Sequence, residues 1–258
     1  MSEVESRGAV PEPTTQPVTQ QPPRDAAYWA KPVSELTVGE VSSEANNLNV
    51  EGRASVGPLM GFGQLWQKTY RIRLGSSVTA EQVVAAWKAN LPNLMPDNSR
   101  FYPSLTGVAP GEVVLINATL PGLPGGIPVS TGVRIIYADD VSFTVMTPAG
   151  HPEAGFNTFS AFEEEGETVA QVQSLGRAND PVYEMGYRLM GGAKQQEAIW
   201  RHVLTTLAAL FGIKGQVEMQ KVVVDPRLQW RNASNVWHNA LIRTVINAPV
   251  RWMRKLDK

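Results

Sequence analysis

Between residues 112 and 176 the chain carries five strand patterns in succession, separated by turns too short to hold a crossover helix. The strands are expected at "EVVLINATL" (112–120), "GVRIIYA" (132–138), "VSFTVMT" (141–147), "FNTFSAFE" (156–163) and "ETVAQVQSLG" (167–176). A Gly/Pro-rich stretch (121–132), Asp139-Asp140, "PAGHPEAG" and "EEEGE" separate them. Parallel neighbours need connections of a dozen or more residues, so this spacing favours an antiparallel meander. The 121–132 stretch lacks the lysine and strand–helix context of a phosphate cradle, and reads as a lid or a connector.

The meander is bracketed by other elements. In "QLWQKTYRIRL" (64–74), Trp66, Tyr70, Ile72 and Leu74 fall on one parity, opposite Gln67, Thr69, Arg71 and Arg73. That is a half-buried strand. A helix follows over 79–91, with Thr79 and Gln82 as a capping box and Val83, Val84, Trp87 and Leu91 as its apolar face. After the meander, Asn179 or Asp180 caps a helix opened by Pro181. It is kinked at Gly191-Gly192 and runs on until Gly212 ends it. Strand, helix, meander, long helix is an α+β order in which one helix lies across a curved antiparallel sheet.

Four segments are expected. Residues 1–30 form a Pro/Thr/Gln-rich leader with too little apolar content to fold, and 31–63 an irregular extension. Residues 64–213 form the main domain, and 214–258 a basic amphipathic extension. Charge marks the last boundary: residues 1–213 carry 14 basic against 21 acidic side chains, residues 214–258 carry 9 against 3. No apolar run reaches the ~18–20 residues of a membrane helix, and no signal peptide is visible at the start. A cytoplasmic location, peripheral to the membrane if the tail binds lipid, is the expectation. The chain has no cysteine, which excludes disulfides, thiolate metal sites and a thiol nucleophile. No metal-ligand spacing and no cofactor motif is present, so neither metal nor cofactor is expected.

His151 and Glu153, in "PAGHPEAGFNTF", admit two readings. One is an acid–base or ligand-anchoring pair at a pocket mouth. The other is a turn fixed by Pro152, with both side chains satisfying backbone groups. Gln171 and Gln173 share parity with Val169 and Leu175, which directs amides inward and suggests a polar-lined cavity. Arg134 opposes the parity of Val133, Ile135 and Tyr137 and is expected on the outer face. In the tail, Trp237, Leu241, Ile242, Val245 and Ile246 make a helical stripe, broken by Pro249 before "VRWMRKLDK". Trp237, Arg243, Arg251, Trp252, Arg254 and Lys255 are the candidates for an anionic membrane surface or a protein partner. The alternative is that the stripe docks on its own domain. Nucleic acid is not expected.

"GHPEAG" followed by Phe159, "GRANDPVYEMGY" and the helix containing Gln195 resemble an uncharacterised bacterial and plant family, domain-of-unknown-function family nineteen-ninety. The resemblance covers roughly 60–212, and departs from the family's pattern at "FN" after Gly155 and at Arg188 after the Gly-Tyr. The family belongs to the START-related helix-grip superfamily. The resemblance implies a helix-grip fold, a curved sheet of about six strands wrapped on a long C-terminal helix, here with an extra basic helical tail. It also implies noncatalytic binding of an apolar or amphipathic molecule, a lipid or polyketide-like compound, between the sheet and helix 193–211. The lining expected on that basis is Trp66, Tyr70, Phe143, Val145, Gln171, Gln173, Trp200, Leu204 and Leu207. A cyclase- or hydrolase-type enzyme using His151 and Glu153 is the alternative. A protein acting through its basic tail is the third reading.

Overall fold

The computed structural model describes residues 26–120 and 126–247. Most of the leader, part of the 121–132 stretch, and the tail's Arg251, Trp252, Arg254 and Lys255 lie outside the described residues. Among the described residues nine strands form one antiparallel sheet: β1 (Ser55–Val56), β2 (Leu65–Arg73), β3 (Ser99–Tyr102), β4 (Val113–Leu120), β5 (Ile127–Ala138), β6 (Ser142–Pro148), β7 (Glu153–Glu164), β8 (Glu167–Ala178) and β9 (Glu218–Asp225). The order is β3-β4-β5-β6-β7-β8-β2-β9, with β1 on the end of β6. Helices α1 (Ala80–Asn90), α2 (Pro181–Leu189) and α3 (Gly192–Leu210) complete the layers. The five expected meander strands are all present and consecutive, and α3 lies across the sheet as a helix grip.

The helix signals act where expected. Thr79 Oγ1 accepts from the Gln82 backbone N–H at 3.3 Å, and the Thr79 N–H donates to Gln82 Oε1 at 2.9 Å, closing the capping box of α1. Asp180 caps α2, accepting from the Val182 and Tyr183 N–H groups. The glycine pair separates α2 from α3, with Gly191 at φ +79°.

Inner-face register runs Tyr70↔Val172 and Phe159↔Val172, then Phe143↔Phe159. Under the C-terminal half of α3 this face is solid. Tyr70, Ile72, Ala170 and Val172 pack on Val203, Leu204, Leu207 and the α1 residue Trp87, all at most 1% exposed. An aromatic chain bounds this core: Trp87 meets Phe159 edge-on at 5.2 Å, Phe143 stacks on Phe159 at 4.6 Å, and Trp200 meets Phe159 at 5.6 Å.

Several boundaries differ from the sequence reading. β5 starts at Ile127, inside the expected connector. Its partner β6 pairs only from Arg134 onward, so Pro128 removes no ladder donor on that side. The four-residue β3 and the strand β9 were not expected. β9 lies in what reads as a separate basic extension, yet pairs with β2 along its length. Its "VVV" run masks any alternation, and most of its residues are exposed on both faces. Residues 26–30, placed with the leader, reach the outer face, where Trp29 bridges Tyr137.

The tail docks on its own domain. A 3-10 segment, Trp230–His238, turns the same side to the protein every third residue. Asn232 donates to the carbonyls of Leu59 and Gly61, and Asn235 to those of Met60 and Asn179. His238 Nδ1 meets Arg53 at 2.9 Å. A helix over 240–247 then covers the part of β5 that β6 leaves open, with the Ser130 N–H donating to Thr244 Oγ1. Its buried line is Ala240 and Thr244, at 0% and 3% exposure, whereas Val245 and Ile246, assigned to the stripe, face solvent.

Candidate functional site

Where α3 begins, the sheet and helices part. A cavity of about 240 Å³ opens between the inner faces of β3–β7, the α2 side chains and the first turns of α3. Its walls are largely aliphatic and aromatic: Ile116, Val129, Val133, Val145, Phe143 and Phe159 from the sheet, Trp200 and Ile199 from α3. Met185 and Met190, both half exposed, stand at its edge. Gln195 Nε2 donates to the Thr119 carbonyl at 2.8 Å and ties the start of α3 to the end of β4. Leu241 from the docked tail also lines the cavity, and its N–H donates to the Tyr183 hydroxyl.

Polar groups interrupt this wall at a few points. Asn157 Oδ1, Thr131 Oγ1 and Trp200 Nε1 are buried with no hydrogen-bond partner among the described residues, and all three residues line the cavity. Glu153 is the first residue of β7 and points inward, 9% exposed. Burial pushes its carboxyl above the usual range, opposed by the Lys68 ammonium and the Gln196 amide. Tyr187 lies beside it, its hydroxyl also raised by burial and by the Glu153 charge.

The turn residues His151 and Glu153 therefore both line the cavity, but not as a side-chain pair. His151 Nδ1 lies 3.0 Å from both the backbone N–H and the carbonyl oxygen of Glu153, so the ring serves the turn's backbone rather than the Glu153 carboxyl. Burial lowers the imidazole to about 4, opposed by the Glu153 carbonyl, which can accept from the protonated ring. The close packing of this turn needs Gly150: it sits at φ +92°, and a Cβ there would fall on the His238 carbonyl oxygen. That carbonyl belongs to the docked tail, whose Ala240 N–H donates to the Gly150 carbonyl.

Of the nine lining residues expected, Phe143, Val145 and Trp200 border the cavity. Tyr70, Leu204 and Leu207 lie in the solid core instead, because the C-terminal half of α3 closes directly onto β2. Trp66 lies farther along β2, against a second chamber. Gln171 and Gln173 point away from the interior: Gln171 accepts from Arg71 Nε at 2.8 Å, and Gln173 reaches Thr69, both on the outer face. Ala170 and Val172 take the inner positions of β8. Arg134 is on the outer face as expected, donating to the Lys31 carbonyl. Trp237 is 81% exposed, while Arg243 is drawn inward to Asn49 Oδ1 at 3.0 Å. Asn157, Thr131, Lys68, Gln196 and Tyr187 were not foreseen as site residues. Asn157 and Thr131 share parity with Phe159 and Val133, and that parity was the available signal.

No family model and no curated protein matches the chain significantly. Solved structures resemble it at low identity. Protein Ms6760 from Mycobacterium smegmatis is 16% identical, with 67% of this chain and 96% of that one covered and a TM-score of 0.39. The di-domain ARO/CYC StfQ of the steffimycin biosynthetic pathway is 10% identical, over 57% of this chain and 50% of its own, at 0.41. Ara h 8.0201 is 12% identical, over 56% and 97%, at 0.39. The helix-grip architecture itself is read from the sheet order and the helix lying across it.

Proposed function

We propose that the protein binds an apolar or amphipathic small molecule, a lipid or polyketide-like compound, in the cavity between the sheet and the α2–α3 pair. One observation carries the reading: a largely apolar cavity bordered by three residues with buried, unpartnered polar atoms. A buried polar atom without a partner costs roughly 1–3 kcal/mol, and a ligand with hydroxyl or carbonyl groups along an apolar body would supply partners. Apolar burial at ~25 cal/mol per Å² would provide most of the affinity, and Asn157, Thr131 and Trp200 the orientation. Membership of the family resembled in sequence is part of the same proposal.

Native mass spectrometry of protein purified from its own host tests this reading. A single co-purifying apolar molecule, released on denaturation, is expected. A ligand-free mass, together with no uptake of apolar probes, would refute it.

The cyclase- or hydrolase-type alternative is favoured by one feature, the presence on the cavity wall of both His151 and Glu153, whose carboxyl burial raises above the usual range. It predicts that the bound compound is converted on incubation. Recovery of the compound unchanged removes it.

A further inference from the structure

Glu153 and Tyr187 form part of the cavity wall. These two residues also line a second chamber of about 230 Å³, between the inner faces of β8, β2 and β9 and the α2–α3 junction. Each chamber alone falls below the ~300–1,000 Å³ of ordinary small-molecule sites, and a ligand that reached into both would have a volume within that range. Their linings differ in kind. The second is bordered by Lys68, Lys221, Glu197, Glu184 and Arg188.

Most of these charges are already matched. Arg188 pairs with Glu184 at 2.5 Å, and Lys221 with Glu197 at 3.3 Å. Lys68 forms no such pair within ion-pair distance, although its charge acts on the Glu153 carboxyl. It sits mid-strand on the inner face of β2, between Ser174 of β8 and Lys221 of β9, and is 8% exposed. Its ammonium donates to the neutral Gln196 Oε1 at 2.5 Å and makes no ion pair among the described residues. A buried ammonium has three donors and is costly to leave without an anion.

We infer that the ligand is an amphipathic carboxylate, its apolar body in the first chamber and its head in the second, accepting hydrogen bonds from Lys68 Nζ. This rests on the binding function proposed above. Glu153 stands where body and head would meet. Burial raises its carboxyl above the usual range, which lessens its repulsion of an anionic head. Tyr187 offers a hydroxyl at the same place.

The test compares three probes of one chain length, decanoate, decanol and decylamine, by displacement of the dye 1-anilinonaphthalene-8-sulfonate from the full chain. Decanoate is expected to bind at least tenfold more tightly than either of the others. In Lys68→Met, with thermal melting checked against wild type, decanoate should weaken to the level of decanol while decanol is unchanged. Equal binding of decanoate and decanol by wild type overturns the inference whatever the variant does. So does tightest binding of decylamine, or a carboxylate preference that survives in folded Lys68→Met. In each of those cases the cavity still binds an amphiphile and the broader function stands. Failure of all three probes overturns both.

Discussion

His151 shows how one side chain can line a cavity and still serve the backbone. Its Nδ1 is engaged by the Glu153 backbone, and burial holds the ring near 4, so it is neutral at pH 7. In the unfolded chain the ring takes up its proton near 6.5. Between about 6.5 and 4 the unfolded state binds more protons than the folded one. Stability fully present above that window is therefore lost as pH falls through it, at no more than about 1.4 kcal/mol per pH unit. Glu153 and Asp180, held above the usual range by burial, work in the opposite sense. The comparison of wild type with His151→Gln isolates the ring. Urea unfolding at pH 7, 5.5 and 4.5 should show wild type losing ground relative to the variant as pH falls, and the His151 Hε1 resonance should titrate near 4. Parallel stability curves would show that the ring is not buried as described.

At the scale of elements, the least expected feature is the 3-10 segment Trp230–His238, which carries Asn232, Asn235 and His238 on its inner side. The sequence reading looked for a helical stripe of large apolar residues. The contact is made by amides bonding open carbonyls, with a three-residue period that a 3.6-residue pattern does not reveal. Asn235→Ala removes donors to Met60 and Asn179 and should cost about 1–3 kcal/mol, with faster amide exchange across 230–238. Gly150→Ala should cost more than the ~1–2 kcal/mol of a left-handed residue alone, because the methyl meets the His238 carbonyl. Unchanged unfolding midpoints in both variants would contradict the docked arrangement. The strands of the meander were legible because each alternates between short turns. The faces of β8 were not, since Val169 and Leu175 compete with Ala170 and Val172 for the inward parity. Only pairing with Phe159 and Tyr70 decides between them.

At the scale of the whole molecule, the tail is part of the fold. Asn49, Asn239, Ala240 and Thr244 are buried where it docks, and Asn239 donates to the Asp180 carboxylate at 2.8 Å. Removing 226–258 should lower the melting temperature and expose apolar surface to dye. An unaltered melt would show that the tail is dispensable. The grip architecture was readable from the order of elements, but the cavity was not. Its position depends on where the α2–α3 break falls over the sheet, and its polar points come from β2, β5, β7 and α3, far apart in sequence. The lining residues expected from the sequence were split between the core, the two chambers and the outer face for that reason.

The most direct test of the central claim is methyl NMR of the full chain titrated with decanol. Saturable shifts are predicted at Ile116, Val129, Val145 and Met185, with Ile72, Val83 and Leu204 in the solid core unaffected. Shifts confined to exposed positions such as Val222 and Ile246, or none that saturate, would contradict it.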